Sequence, residues 1–387
     1  MKTTFAPRRP RRSSEAGFSL IEMLVAMGIM LVVMGGAMAA MMDATRASKM
    51  ASMITSMNSN LRTAMDLMVR DTLQTGQDLP VGRVIEIPSG TGAARVRMPG
   101  PPGTAFLTPV GATTVSAVTA YPGAGPLVNS VATDVYTILA ADSSFSNVDL
   151  TALSNSSATI ALPGAGINGY NITDGGPDDV LAGQLLMLTK GSLSTLVQVS
   201  RRSGQQIFFD ANDSLTLNQT AAANGTLTAL NASAPANSGG TAAQAVQQTQ
   251  ATRIRMITYY IDATINPQRP RLVRRMNNGS ASTFDNNSGT TVAFDVENLQ
   301  VSYDIANGVT NPANVKMNAT DLLTTGSCAP QACSPNQIRK VNIMLAGRSY
   351  AQFSPLKQPL RNVLQSQVSL RSLAFVDKYT DDNGGTP

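Results

Sequence analysis

Residues 18–42 read FSLIEMLVAMGIMLVVMGGAMAAMM, 25 consecutive residues that are apolar or small except for Ser19 and Glu22. A helix needs about 20 such residues to cross a bilayer, and a secretory signal core has only roughly 7–15. The run does not end in a small-residue cleavage site followed by a polar start. It therefore predicts a membrane-length helix that stays with the chain. Lys2, Arg8, Arg9, Arg11 and Arg12 precede it, against the single acid Glu15. Basic residues on one flank hold that flank in the cytoplasm, so the remainder is expected on the other side. These residues account for nearly all of the net charge of +5. The basic balance is thus a property of the N-terminus and does not suggest nucleic-acid binding.

Glu22 conflicts with this anchor. A charge inside a membrane span costs roughly 2.5–3.5 kcal/mol on insertion scales, so such residues usually mark function. A buried carboxylate is tolerable only if it is paired. The alternative is that Glu22 snorkels to the interface from near the end of the span.

Composition removes whole classes of activity. There is no His, which excludes Ser-His-Asp triads, Cys-His dyads, HExxH zinc sites and His proton shuttles. No GxxxxGK[ST] phosphate loop and no GxSxG elbow occurs. The chain is read as non-enzymatic, with no cofactor. Charged residues make up only 14%, which suits a loop-rich extracytoplasmic protein. The two cysteines, Cys328 and Cys333 in CAPQAC, fit a small surface disulfide in an oxidising compartment. Two free thiols are the alternative. A lone CxxxxC makes a poor zinc site.

Residues 15–27, EAGFSLIEMLVAM, resemble the class III signal of type IV prepilins. The shared features are a short basic leader, Gly17 as its last residue, Phe18 next, Glu22 four residues on, and a long apolar run. The resemblance implies that a prepilin peptidase cuts between Gly17 and Phe18 on the cytoplasmic side and that Phe18 is N-methylated. It also implies that Glu22 pairs with the N-terminal amine of a neighbouring subunit in a filament. The implied domains are a cleaved leader (1–17), a transmembrane and filament-core half-helix (18–42), an amphipathic half-helix (43–76) and a β-rich head (77–387). The implied fold is α+β and pilin-like, with one long N-terminal helix packed on an antiparallel sheet. The partners would be the peptidase, other minor and major pilins, the inner-membrane assembly platform, and membrane lipid before assembly. The head would be periplasmic at first and on the pilus surface later. The order of TDVYTIL, LAGQLLMLTKGSLSTLVQVSR, ITYYID…RPRLVRR, FDVENLQVSYDI and IRKVNIMLAGRS is similar to PilW-type minor pilins, which prime or cap assembly. A J-type pseudopilin of type II secretion and a tip adhesin or DNA-binding minor pilin are the alternatives.

The helix is expected from Phe18 to about Leu73. Met23, Met27, Met30, Met34, Met38 and Met41 fall on one stripe. Met50, Ile54, Met57, Leu61, Met65 (or Ala64) and Met68 form an apolar face past Asp43. Gly76 is the expected stop. Gly35-Gly36 reads either as a weak point or as a place of close helix approach. Strands are expected at 83–87, 134–139, 184–189, 195–199, 206–209, 253–262, 271–275, 291–304, 337–348 and 365–375. The segments 253–262 and 271–275 should form a hairpin, and a phase slip near Glu297-Asn298 predicts a bulge. Residues 88–130 and 211–252 are low in complexity and read as surface loops.

Arg253, Arg255, Arg269, Arg271, Arg274 and Arg275 gather on the proposed hairpin. They are a potential DNA footprint, but few aromatics accompany them, which favours a solvated face or a protected edge. Asp174, Asp178 and Asp179, and Asp377, Asp381 and Asp382, lie in turn-like stretches. Neither group matches an EF-hand loop, and Asp is common in turns because it bonds its own backbone.

Overall fold

The structure is a computed structural model. It describes residues 17–79, 84–88, 96–101, 106–108, 114–164, 167–173, 179–191, 193–211, 213–218, 227, 230, 249–280, 289–305, 326–328, 331–333, 338–353 and 358–370. The chain divides into two compact units, Met1–Thr55 and Ser56–Pro387.

The dominant helix, α1, spans Leu20–Leu73. In the first unit every described residue up to Lys49 is exposed, including the whole methionine stripe. The helix passes Gly35 and Gly36 without interruption, and a Cβ at either would meet nothing within 4 Å. In the second unit α1 buries Met57, Leu61, Ala64, Met65, Met68, Asp71 and Thr72. Steps of three and four residues place these on one face, and that face carries the apolar stripe predicted beyond Asp43. The helix ends where expected. Gln74 and Thr75 donate to the carbonyls of Asp71 and Thr72 three residues back, and Gly76 donates to the Leu139 carbonyl at 2.9 Å. Gly76 has a φ of 74°, a left-handed conformation that glycine adopts without steric cost.

The second unit is β-rich, and a 13-stranded sheet is its frame. Its central strand, Gln250–Asp262, has neighbours on both sides: Ile254 lies opposite Ala141 and Leu185, and Ile257 opposite Ile138 and Met276. A strand flanked this way is buried on both edges, and all but two of its residues are buried. A second, three-stranded antiparallel sheet consists of Val296–Ile305, Ile338–Phe353 and Gln358–Ser369. One face of it carries Leu299, Val301, Tyr303, Val341, Ile343, Leu345 and Val368, all buried. These side chains join the helix residues Met57, Leu61, Met65 and Met68 and the large-sheet residues Ile138, Ile254 and Ile257 in one core. A smaller cluster around Phe145, Ile160, Val197, Ile207 and Phe209 lies apart from it.

The predicted hairpin is present, as Gln250–Asp262 paired with Arg271–Ser280. The predicted bulge is also present, as a register shift between Val296 and Asn298. Three expectations need correction. The strand expected over 291–304 is two strands, Thr290–Phe294 in the large sheet and Val296–Ile305 in the small one. Asp295, at φ 60°, turns the chain between them, so Phe294 faces solvent while Val296 is buried. Residues 88–130 are not simply surface loop. Thr114–Ser116 pairs with Val84–Glu86, and Val118–Tyr121 pairs with Val135–Ala141. Val96, Met98, Val115, Ala117 and Val118 lie in the core. These strands are too short to show an alternation of their own, and pairing with stronger neighbours decides them. Finally, of the expected loop 211–252, Leu215 and Leu217 are buried. Asp213 accepts hydrogen bonds from the amides of Leu215, Leu217 and Asn218. Residues 219–226, 228–229 and 231–248 lie outside the described residues.

Candidate functional site

The residues singled out at the N-terminus lie together at the start of α1. Gly17, Phe18 and Ser19 are non-helical, and helix begins at Leu20. Phe18 is 85% exposed. A Cβ at Gly17 would meet nothing within 4 Å, so the chain's own packing does not require glycine there. Glu22 is exposed and makes two local bonds. The Ser19 amide donates to Glu22 Oε2 at 2.9 Å, and the Glu22 amide donates to Ser19 Oγ at 3.2 Å. This reciprocal pair is a capping box, which satisfies two of the donors left free in the first turn of a helix. Reading Glu22 only as an intersubunit charge missed it. The signal was present as Ser-x-x-Glu directly ahead of an apolar run. The apolar wall that follows is exposed, with no partner among the described residues. Among the described residues, α1 is the one helix long and apolar enough to cross a membrane.

The arginines of the hairpin do not form a free basic face. Arg274 Nε lies 2.6 Å from Asp71 Oδ2, and Arg271 lies 2.7 Å from Asp262. Arg269 pairs with Asp295 at 2.8 Å and Arg253 with Asp142 at 3.1 Å, while Arg255 is 4.0 Å from Asp142. Arg275 is fully buried and hydrogen-bonded to Tyr260. Their charges are committed to nearby carboxylates or to the interior, and this removes the footprint on which DNA binding would rest.

Two structural carboxylates had not been singled out. Asp71, in the last turn of α1, is buried and accepts from Tyr259 Oη at 2.5 Å as well as from Arg274. Burial, together with the Asp71 carboxylate, pushes the Tyr259 hydroxyl far above its ordinary pKa. The available signal was an acid three residues beyond Met68, still on the buried stripe. Glu297, at the bulge, accepts from Arg361 Nε at 2.8 Å, Asn129 Nδ2 at 2.8 Å and Arg348 at 3.0 Å. Burial pushes its carboxyl up, but the bonds from Arg361 and Asn129 and the charges of Arg361 and Arg348 outweigh that. Its pKa lies below the ordinary glutamate value. Nothing in the sequence brings these partners together, because they are far apart along the chain.

Cys328 and Cys333 lie in two paired strands, Gly326–Cys328 and Gln331–Cys333. The register sets Cys328 opposite Gln331 and Cys333 opposite Gly326; the cysteine side chains lie outside the described residues. Asp179 is buried and ion-paired with Arg202 at 2.9 Å. Asp174, Asp178, Asp377, Asp381 and Asp382 lie outside the described residues.

A family model, the prokaryotic N-terminal methylation motif, matches residues 12–38. No curated protein and no solved structure gave a significant match to the chain. The matched stretch contains Arg12, the last residue of the basic flank, then Gly17, Phe18, the Ser19–Glu22 box and most of the apolar run. It implies processing by a peptidase and association with pilins in general; the long helix α1 begins inside it, at Leu20, and a β-rich region comes after the helix. The chain therefore carries a type IV prepilin-like class III signal, which supports a pilin-like or pseudopilin protein of structural rather than enzymatic character.

Proposed function

We propose that the chain is a minor type IV pilin of the PilW type. It would be cut between Gly17 and Phe18 by a prepilin peptidase, methylated at Phe18, and added to a pilus where it primes or caps assembly, at the tip. The observation that carries this reading is the methylation motif over 12–38 at the head of a helix whose residues from Leu20 to Lys49 are all exposed. Such a wall needs lipid first and neighbouring helices later. The N-terminus is cytoplasmic and the head periplasmic until assembly, when the inner-membrane platform hands the subunit to other minor and major pilins. Glu22 then pairs with the amine of a neighbour, since a carboxylate withdrawn from water requires a cation. In the oxidising compartment Cys328 and Cys333 form a disulfide. The test is mass spectrometry of the membrane-assembled protein. The expected mature chain begins at N-methylated Phe18 and is two hydrogens lighter for the disulfide; a chain retaining residues 1–17 would sink the reading.

The methylation motif is equally at home in a J-type pseudopilin. Deleting the gene separates the two. Loss of pili with secretion intact supports the minor pilin, and the reverse supports the pseudopilin.

A further inference from the structure

Glu22 is read above as a charge reserved for a neighbouring subunit, yet the chain already engages it. The Ser19 amide donates to its Oε2 and its own amide donates to Ser19 Oγ. The two bonds close over the first turn. They stop the helix at Leu20, leave residues 17–19 non-helical, and select one orientation for the Glu22 side chain, folded back toward the N-terminus. The amide held by the carboxylate belongs to the residue directly after Phe18. An amine released by cleavage after Gly17 therefore arises one residue from a carboxylate that is already oriented.

We propose that Ser19 is a positioning residue for Glu22. Its hydroxyl accepts from the Glu22 amide and fixes the first turn, so that its own amide holds the carboxylate at the N-terminal end of the helix, where an incoming ammonium can meet it, instead of letting it turn along the apolar wall. This rests on the reading of the chain as a pilin subunit. The box and the intersubunit pair are compatible. The Ser19 amide uses one oxygen, and a carboxylate has about four acceptor positions, so Oε1 can take a charge-assisted bond from the amine. Before assembly the amide bond partly compensates a charge that would otherwise be costly beside lipid.

The test uses the full-length chain in a piliated host, with Ser19→Ala, Ser19→Val, Ser19→Thr, Glu22→Ala and the Ser19→Ala/Glu22→Ala double variant. Leader removal, membrane insertion and the amount of subunit in sheared filaments are measured for each. Ser19→Ala and Ser19→Val should be cut and inserted normally but enter filaments about fivefold less, the size of a typical N-cap loss. Ser19→Thr, which keeps the hydroxyl, should restore entry. The double variant should be no worse than Glu22→Ala, because one residue acts through the other. Normal entry of Ser19→Ala, equal behaviour of the Val and Thr variants, or a double variant lower by the full additional factor would each overturn the proposal. So would a Ser19→Ala defect already present at cleavage or insertion. If Glu22→Ala enters filaments as the wild type does, Glu22 loses its assembly role and the positioning role falls with it. If Glu22→Ala is defective while Ser19→Ala is not, only the positioning role fails.

Discussion

The two parts of α1 have different surroundings. From Gly17 to Lys49 every residue is exposed, whereas from Met57 onward one stripe is buried against two sheets. Each part also carries a notable carboxylate near its end. Glu22 is exposed and bonded to Ser19, three residues away. Asp71 is buried and held by Tyr259 and Arg274, about two hundred positions along the chain. Methionine occurs in both parts, exposed at Met34 and buried at Met68, so this residue type alone does not set the difference. Periodicity does: an apolar character all around the helix suits lipid or other helices, and a one-sided stripe suits a protein core.

That contrast can be tested by substitution. The largest effect is expected for Arg274→Ala, which leaves Asp71 buried without its cation. Breaking a buried pair from one side costs about 3–5 kcal/mol, read as a lower denaturant midpoint of the head. Replacing both partners with apolar residues should recover much of the loss, and an unchanged midpoint for Arg274→Ala would mean the pair carries no such weight. Next is Met68→Ala, which removes a side chain with no solvent exposure and should cost roughly 2–5 kcal/mol in the same assay. Gly347→Ala comes third. A Cβ there would lie 2.9 Å from Leu61 Cδ2, and Leu61 is itself buried, so overpacking should cost about 1–3 kcal/mol. Combined with Leu61→Ala, the double variant should lose less than the sum of the two single losses, because the shortened side chain makes room; strict additivity would contradict the close contact.

A pH titration probes Glu297. Its folded pKa is depressed, so its contribution is fully present above the unfolded value of about 4.3 and is lost as pH falls through the lower folded value. Glu297→Gln should lower stability at neutral pH and make it less sensitive to acid below about pH 4; a parallel acid profile for variant and wild type would rule out this linkage. The smallest effect is expected for Met34→Ala. This side chain is 62% exposed, and its loss should shift head stability by no more than about 0.5 kcal/mol. A shift comparable to Met68→Ala would erase the distinction between the two parts of α1.

Much of this organisation was legible in the chain. The length of α1, its apolar stripe and its glycine stop show as residue types at spacings of a few positions, so local pattern reports them, although distant sheets cover the stripe and Leu139 receives the Gly76 amide. The hairpin around residues 263–270 and the bulge at Val296–Asn298 showed as alternation and as a slip in its phase. The short strands between residues 97 and 128 did not, because two to four residues carry no period and their pairing depends on edges supplied by others. The arginine cluster was read as a surface feature because its carboxylate partners are scattered over residues 71–295.

The sequence by itself determined the N-terminal features: the basic flank, Gly17 and Phe18, Glu22 with Ser19 three residues before it, and an apolar run long enough for a bilayer. Each depends on spacings within one or two helical turns, and a helix preserves sequence spacing as geometry. Only the tertiary structure decided which charges are spent. It committed the hairpin arginines to Asp71, Asp142, Asp262 and Asp295, placed Glu297 among Asn129, Arg348 and Arg361, and split residues 290–305 between two sheets at Asp295. Sheet pairing joins segments that are distant in the chain, and the cost of leaving a buried charge unpaired then selects their partners.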